Sequence, residues 1–116
     1  MTHKDLEVWK LSLDLVVSIY DLTKMFPDDE KYGLTSQMRR AAVSIPSNIS
    51  EGAGRSSTKE FIRFLDIATG SLSELETQLI IVIRLGFIKK QNLLDEEIVI
   101  IQKMLFKLKE SLKRKL

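Results

Sequence analysis

Two kinds of chemistry are open to the side chains of this sequence: proton transfer by paired carboxylates, and electrostatic capture of phosphates. Glu51, with Ser47 and Asn48 a turn before it, and Ser71 with Glu74 further along, form the first set. Two carboxylates brought together can act as general acid and base. This set is thin, because no nucleophile or metal-ligand group completes it. The same residues suit a hydrogen-bonded patch that closes the backbone around Pro46, beside a close helix crossing at Gly70-Ser71. That patch is the better reading. The second set is cationic. Arg55, Lys59 and Arg63 are four apart, a spacing that lines one side of a helix start. Lys107, Lys109, Lys113, Arg114 and Lys115 crowd the C-terminal end. Cations so placed can bind phosphates by displacing counterions. The alternative is that terminal lysines complement a helix dipole and keep it solvated. Arg39 and Arg40 could also grip RNA, but adjacent arginines on a helix with a buried side are expected to pair with carboxylates. Glu74 and Glu76 are their candidate partners, within the bundle or across a subunit boundary. Trp9, Tyr20, Phe61 and Phe64 could stack bases, yet their stripes read as core packing.

Composition narrows the options further. The 116 residues include no Cys and one His, His3, near the start. Disulfides and thiolate metal sites are excluded, and so are Cys nucleophiles, Ser-His-Asp catalysis and His-based metal centres. The expectation is a non-enzymatic protein with no metal and no cofactor. No signal peptide is visible, and the longest aliphatic run, Leu79 to Ile83, stops at Arg84, too short to cross a bilayer. A cytoplasmic protein without a membrane partner is expected. The formal net charge is only +2, so phosphate binding must depend on where the charges sit.

The elements that must position these groups are four helices in one domain spanning residues 1–116. The first is expected from about Leu6 to Lys24, capped by Asp5, with Trp9, Leu13, Val16, Val17 and Tyr20 as its core stripe. Val8, Leu11, Leu15, Ile19 and Leu22 form a second stripe. Phe26 to Gly33 is a break rich in turn formers. The second helix runs from Leu34 to Ala53 and ends at Gly52 or Gly54. Leu34, Met38, Ala41, Ile45 and Ile49 face inward, and Pro46 in mid-helix predicts a bend. Ser57-Thr58-Lys59-Glu60 reads as a capping box for the third helix. That helix continues to Leu85 with Phe61, Phe64, Leu65, Ala68, Leu72, Leu75, Leu79 and Val82 on its core face, and Gly86 stops it. Asn92 is expected to cap the fourth helix, whose seam is Leu94, Ile98, Ile101, Leu105, Leu108 and Leu112. Short links between long helices favour antiparallel neighbours, hence an all-α, up-down-up-down four-helix bundle. The first and third helices carry more apolar surface than one core face needs. Self-association through Leu11, Leu15, Ile19 and Ile81 is the cheapest way to cover it; a single thick core with exposed aliphatics is the alternative.

Several blocks also match a known family. Arg39-Arg40-Ala41-Ala42-Val43-Ser44-Ile45-Pro46-Ser47-Asn48-Ile49-Ser50-Glu51-Gly52 resembles the central motif of small four-helix-bundle proteins encoded in intervening sequences of bacterial 23S rRNA genes. Glu60 to Leu65 and Gly70 to Leu79 resemble the next two blocks of that family. Leu6 to Lys10 resembles its start, and Gly33 to Met38 its entry to the second helix. The resemblance covers about Leu6 to Phe87, with a freer fourth helix. The family includes the accessory variability determinants of diversity-generating retroelements. The resemblance implies a four-helix protomer, a ring-shaped homopentamer and, for the retroelement branch, binding to nucleic acid or a reverse transcriptase. It carries over no catalytic residue.

In an up-down bundle the two cationic stretches share one end with Lys4, while Asp28, Asp29, Glu30, Asp95, Glu96 and Glu97 gather at the other. The sequence therefore points to a homo-oligomeric scaffold whose basic end binds nucleic acid, RNA rather than DNA. The competing expectation is a protein-interaction module that docks a reverse transcriptase or another protein.

Overall fold

The computed structural model describes residues 2–116 apart from the Asp5 side chain. Four α-helices account for most of it: α1 (Glu7–Thr23), α2 (Leu34–Ala53), α3 (Thr58–Arg84) and α4 (Asn92–Lys113). Short 3-10 turns stand at His3–Asp5 and Asp28–Glu30, and no strand occurs among the described residues. Each helix packs against its two neighbours in the order α1, α2, α3, α4 and back to α1, while the diagonal pairs make no backbone-level contact. Contacts descend one helix as they climb the next. Ser44 meets Ser71, and Gly52 lies against Phe61 and Phe64. Glu76 meets Gln102, and Asp66 meets Lys109. Arg39, early in α2, bonds to Thr23 at the end of α1, while the turn before α1 packs on α2. Ser18 meets Glu97, and Leu11 shares a small cavity with Ile101. Adjacent helices therefore run antiparallel. Chain reach requires this at residues 54–57, since four residues span at most about 14 Å and α2 is about 30 Å long.

The helix ends follow local chemistry. Ser57 is the N-cap of α3, its hydroxyl accepting from the Glu60 N–H at 3.1 Å. The reciprocal half of the capping box is absent, because the Glu60 carboxylate is taken by Arg63 at 2.7 Å. At the other end of α3, Gly86 has a positive φ of 81°. Its N–H donates to Ile83, and the Phe87 N–H donates to Val82. This paired closure needs a left-handed residue that glycine adopts without strain. The fourth helix starts one residue earlier than expected: Gln91 holds the N-cap position, and Asn92 is already helical. Leu6 precedes α1 with extended backbone; the expected Asp5 cap rests on a side chain outside the described residues. The second helix is continuous through Pro46, which is buried.

The core is a single cluster drawn from all four helices. Leu15, Ile19, Met38, Ile45, Ile49, Leu65, Leu72, Leu75, Leu79, Ile98, Ile101 and Leu105 are all fully buried. Each stabilises the fold by about 1.5–3 kcal/mol relative to an exposed side chain. The inner faces of α2, α3 and α4 match the sequence reading, with Leu34, Phe61 and Leu108 only half-buried.

The first helix turns its second stripe inward. Val8, Leu15, Ile19 and Leu22 are buried; of the expected core stripe Trp9 and Val16 are half-buried against the core, whereas Leu13, Val17 and Tyr20 are exposed, Val17 by 61%. Leu15 and Ile19, expected at a subunit interface, are 0% exposed within one chain and belong to the core. Leu11 is half-buried against that core. Of the four expected interface residues Ile81, 41% exposed, is the most open, and Leu11 is exposed in part. Ser12 explains the difference in orientation. It interrupts the inner stripe with a hydroxyl, yet it is fully buried and satisfied by the Trp9 carbonyl at 2.7 Å.

Candidate nucleic-acid interface

The end where α2 leads into α3 depends on one close approach. A Cβ on Gly52 would stand 2.8 Å from the Phe64 Cβ and 2.9 Å from the Phe61 Cδ1. Only glycine lets the two helices meet there. Phe64, buried by this contact, is flanked by two guanidinium groups: Arg55 and Arg63 each lie 4.9 Å from its ring centre. Such stacking orients the cations at little entropic cost. The four-residue spacing read from the sequence holds for Lys59 and Arg63 alone, since Arg55 precedes α3. Arg55 reaches the same surface by way of Phe64.

The C-terminal part of α4 comes to the same end. Lys109, half-buried, is 2.9 Å from Asp66 of α3. This pair is the only cross-helix ion pair among the described residues; the others join groups three or four apart in sequence. It fixes the C-terminal half of α4 against the N-terminal third of α3. Several of the expected binding cations are already paired. Arg55 is 3.0 Å from Glu51, Arg63 is 2.7 Å from Glu60, and Lys113 is 3.6 Å from Glu110. These exposed pairs are worth about 0–1 kcal/mol each, so a phosphate can compete for them. The Arg63 hydrogen bond, aided by the charges of Arg63, Arg55 and Lys59, holds the Glu60 carboxyl below its ordinary range. Lys59, Lys107, Arg114 and Lys115 hold no ion pair among the described residues and are exposed. They are the free cations of this end. Of these, Lys59 lines a shallow concavity with Ser57, Glu60, Ile62, Arg63 and Asp66.

The carboxylate set does not assemble. Glu51 is engaged by Arg55, and Glu74 accepts from the Gln78 amide at 3.1 Å. Ser44 and Ser71 bond across α2 and α3 at 2.8 Å, and the Asn48 amide donates to the Ser44 carbonyl and hydroxyl at 2.7 and 2.9 Å. Of the expected patch only Asn48 and Ser71 take part, joined through Ser44. Its expected neighbour, a close crossing at Gly70, is not found, since a Cβ there would meet nothing within 4 Å. Among the described residues no cluster of His, Asp and Glu has the grouping to hold a metal ion.

Arg39 and Arg40 do not reach Glu74 or Glu76 within the chain. Arg39 Nε donates to the Thr23 hydroxyl at 2.8 Å, and its guanidinium lies 4.4 Å from the centre of the Tyr20 ring. Arg40 is exposed. Sequence reasoning missed this arrangement because it assigned Tyr20 to the core. The exposed Tyr20 ring is what draws Arg39 towards α1.

No helix among the described residues is long and apolar enough to cross a membrane. The sequence profile of the 23S rRNA-intervening sequence proteins matches residues 4–107. Among solved structures, the chain is similar to a protein of unknown function from the S23 ribosomal protein family of Bacteroides thetaiotaomicron. The two are 28% identical, with a TM-score of 0.81, over 89% of this chain and 95% of that one. No curated protein gives a significant match.

Proposed function

The chain belongs to the 23S rRNA-intervening sequence protein family, and from that premise we propose that it is a non-enzymatic, cytoplasmic scaffold that binds structured RNA through its basic end. The Lys109–Asp66 pair at 2.9 Å carries this reading. It holds the C-terminal part of α4 against α3, which supports a shared basic end to which Lys59, Lys107, Arg114 and Lys115 contribute unpaired cations. Phosphate contacts dominate such a surface, so binding is salt-sensitive and weakly sequence-specific. Filter retention of a folded RNA over a salt series tests this. Retention should fall steeply as salt rises. Salt-independent retention, or none at low salt, would put a protein partner such as a reverse transcriptase in the place of RNA.

The scaffold acts as a ring-like homo-oligomer, a pentamer on the family's pattern. Exposed apolar residues support this on separate sides of the protomer: Leu13, Val17 and Val43 on α1 and α2, Ile67, Ile80 and Ile81 on α3, and Val99, Ile100 and Phe106 on α4. Unlike faces meet head to tail, and such contacts form a ring when their rotation closes. A ring repeats the basic end once per subunit and multiplies its hold on a long RNA.

A further inference from the structure

A second cluster of cations lies towards the opposite end of α2. Tyr20, Lys31, Tyr32, Ser36, Arg39 and Arg40 line an open cleft between the last turns of α1 and the first turns of α2. The residues lining the cleft include no carboxylate. Of the carboxylates next to them in sequence, Glu30 accepts from the Leu34 N–H at 3.3 Å and Asp21 is paired with Lys24 at 3.3 Å. One wall is fixed, because Arg39 is held by Thr23 and covers Tyr20. The other wall is free. Tyr32 is 88% exposed, with Lys31 Nζ 5.5 Å from its ring centre. Arg40 makes no hydrogen bond or ion pair among the described residues.

An exposed aromatic ring with Lys31 over it and the unpaired Arg40 in the same cleft matches a ligand that is flat at one point and anionic at the next. The geometry points to a nucleotide of single-stranded nucleic acid in this cleft, its base on Tyr32 and its phosphate on Arg40 and Lys31. A duplex offers no free base face to Tyr32. An acidic peptide would satisfy the cations and leave the ring idle. Arg39 and Arg55 are sixteen residues apart on and just beyond α2, about 24 Å along a helix. The cleft is therefore separate from the basic end and stands or falls independently of it.

A short fluorescein-labelled oligouridylate, followed by anisotropy, is the probe. Tyr32→Ala should weaken its binding on the order of tenfold, and Tyr32→Phe should retain it. Arg40→Ala should weaken binding and reduce the salt slope by about 0.7, the value for one single-strand phosphate. Retention of a blunt RNA duplex, which reads the basic end, should be unchanged in all three variants. Unchanged oligouridylate binding by Tyr32→Ala would overturn the assignment. So would competition by polyglutamate as effective as by unlabelled oligouridylate, which would make the cleft an acidic-peptide site.

Discussion

Gly52 decides how closely α2 and α3 meet, and with that where Arg55 and Arg63 stand on Phe64. An alanine in a helix ordinarily gains about 1 kcal/mol over glycine. Here its methyl would press on the Phe64 Cβ and the Phe61 carbonyl, positions that cannot swing aside. We expect Gly52→Ala to destabilise the protein by about 1–3 kcal/mol, read as a lower urea midpoint; a higher midpoint would mean the helices have room to part. Glu97 offers a test of opposite sign. Burial raises its carboxyl above the ordinary value, Ser18 opposes the rise with a hydrogen bond, and Asp14 adds to it. An acid with a raised folded pKa binds its proton more tightly when native. Its contribution therefore favours the fold at low pH and is lost as pH rises through the raised value. Glu97→Gln, which keeps an acceptor for Ser18, should raise the urea midpoint at neutral pH and leave it nearly unchanged well below the ordinary carboxylate range. An equal shift at both would place the effect in packing instead.

At the scale of elements, the four helices were legible because their apolar periods, glycine stops and the Ser57 cap agree with one another. The orientation of α1 was not legible. It carries two apolar stripes, and the one with aromatics looked like the core. The one interrupted by Ser12 is the core, because Ser12 satisfies itself within its own turn. Tyr20 lies outside under Arg39, a contact between elements that no one-helix pattern encodes. The pairing of Lys109 was equally hidden, since Lys109 and Asp66 are 43 residues apart. Pro46 tests how α2 accommodates its own sequence. A proline in a helix interior costs about 3 kcal/mol, yet α2 is continuous and the Ser44–Ser71–Asn48 patch adjoins the residue. Pro46→Ala should change thermal stability by less than that full amount, because the native packing is fitted to the proline. A gain of the full amount would show strain kept for function.

At the scale of the molecule, the orientation of α1 changes which residues can hold an assembly together. Val17→Glu and Ile81→Glu should leave the helical circular dichroism intact and shift light scattering from a closed oligomer to a monomer. Leu15→Glu should unfold the protomer, since it places a charge in the core. Wild-type protein that scatters as a monomer at micromolar concentration would remove the ring from the account. The central claim is the basic end, and the salt dependence of RNA retention tests it most directly. Reversing Lys59, Lys107, Arg114 and Lys115 together should abolish retention of a folded RNA, with assembly preserved because these side chains lie outside the apolar faces. Removing them a pair at a time should flatten log affinity against log salt by about 0.7–0.9 for each phosphate that is no longer neutralised. Neutralising Lys89 and Lys90, at the far end, should change little. Equal losses from both sets, or no loss from either, would contradict the claim that this end is where the molecule meets RNA.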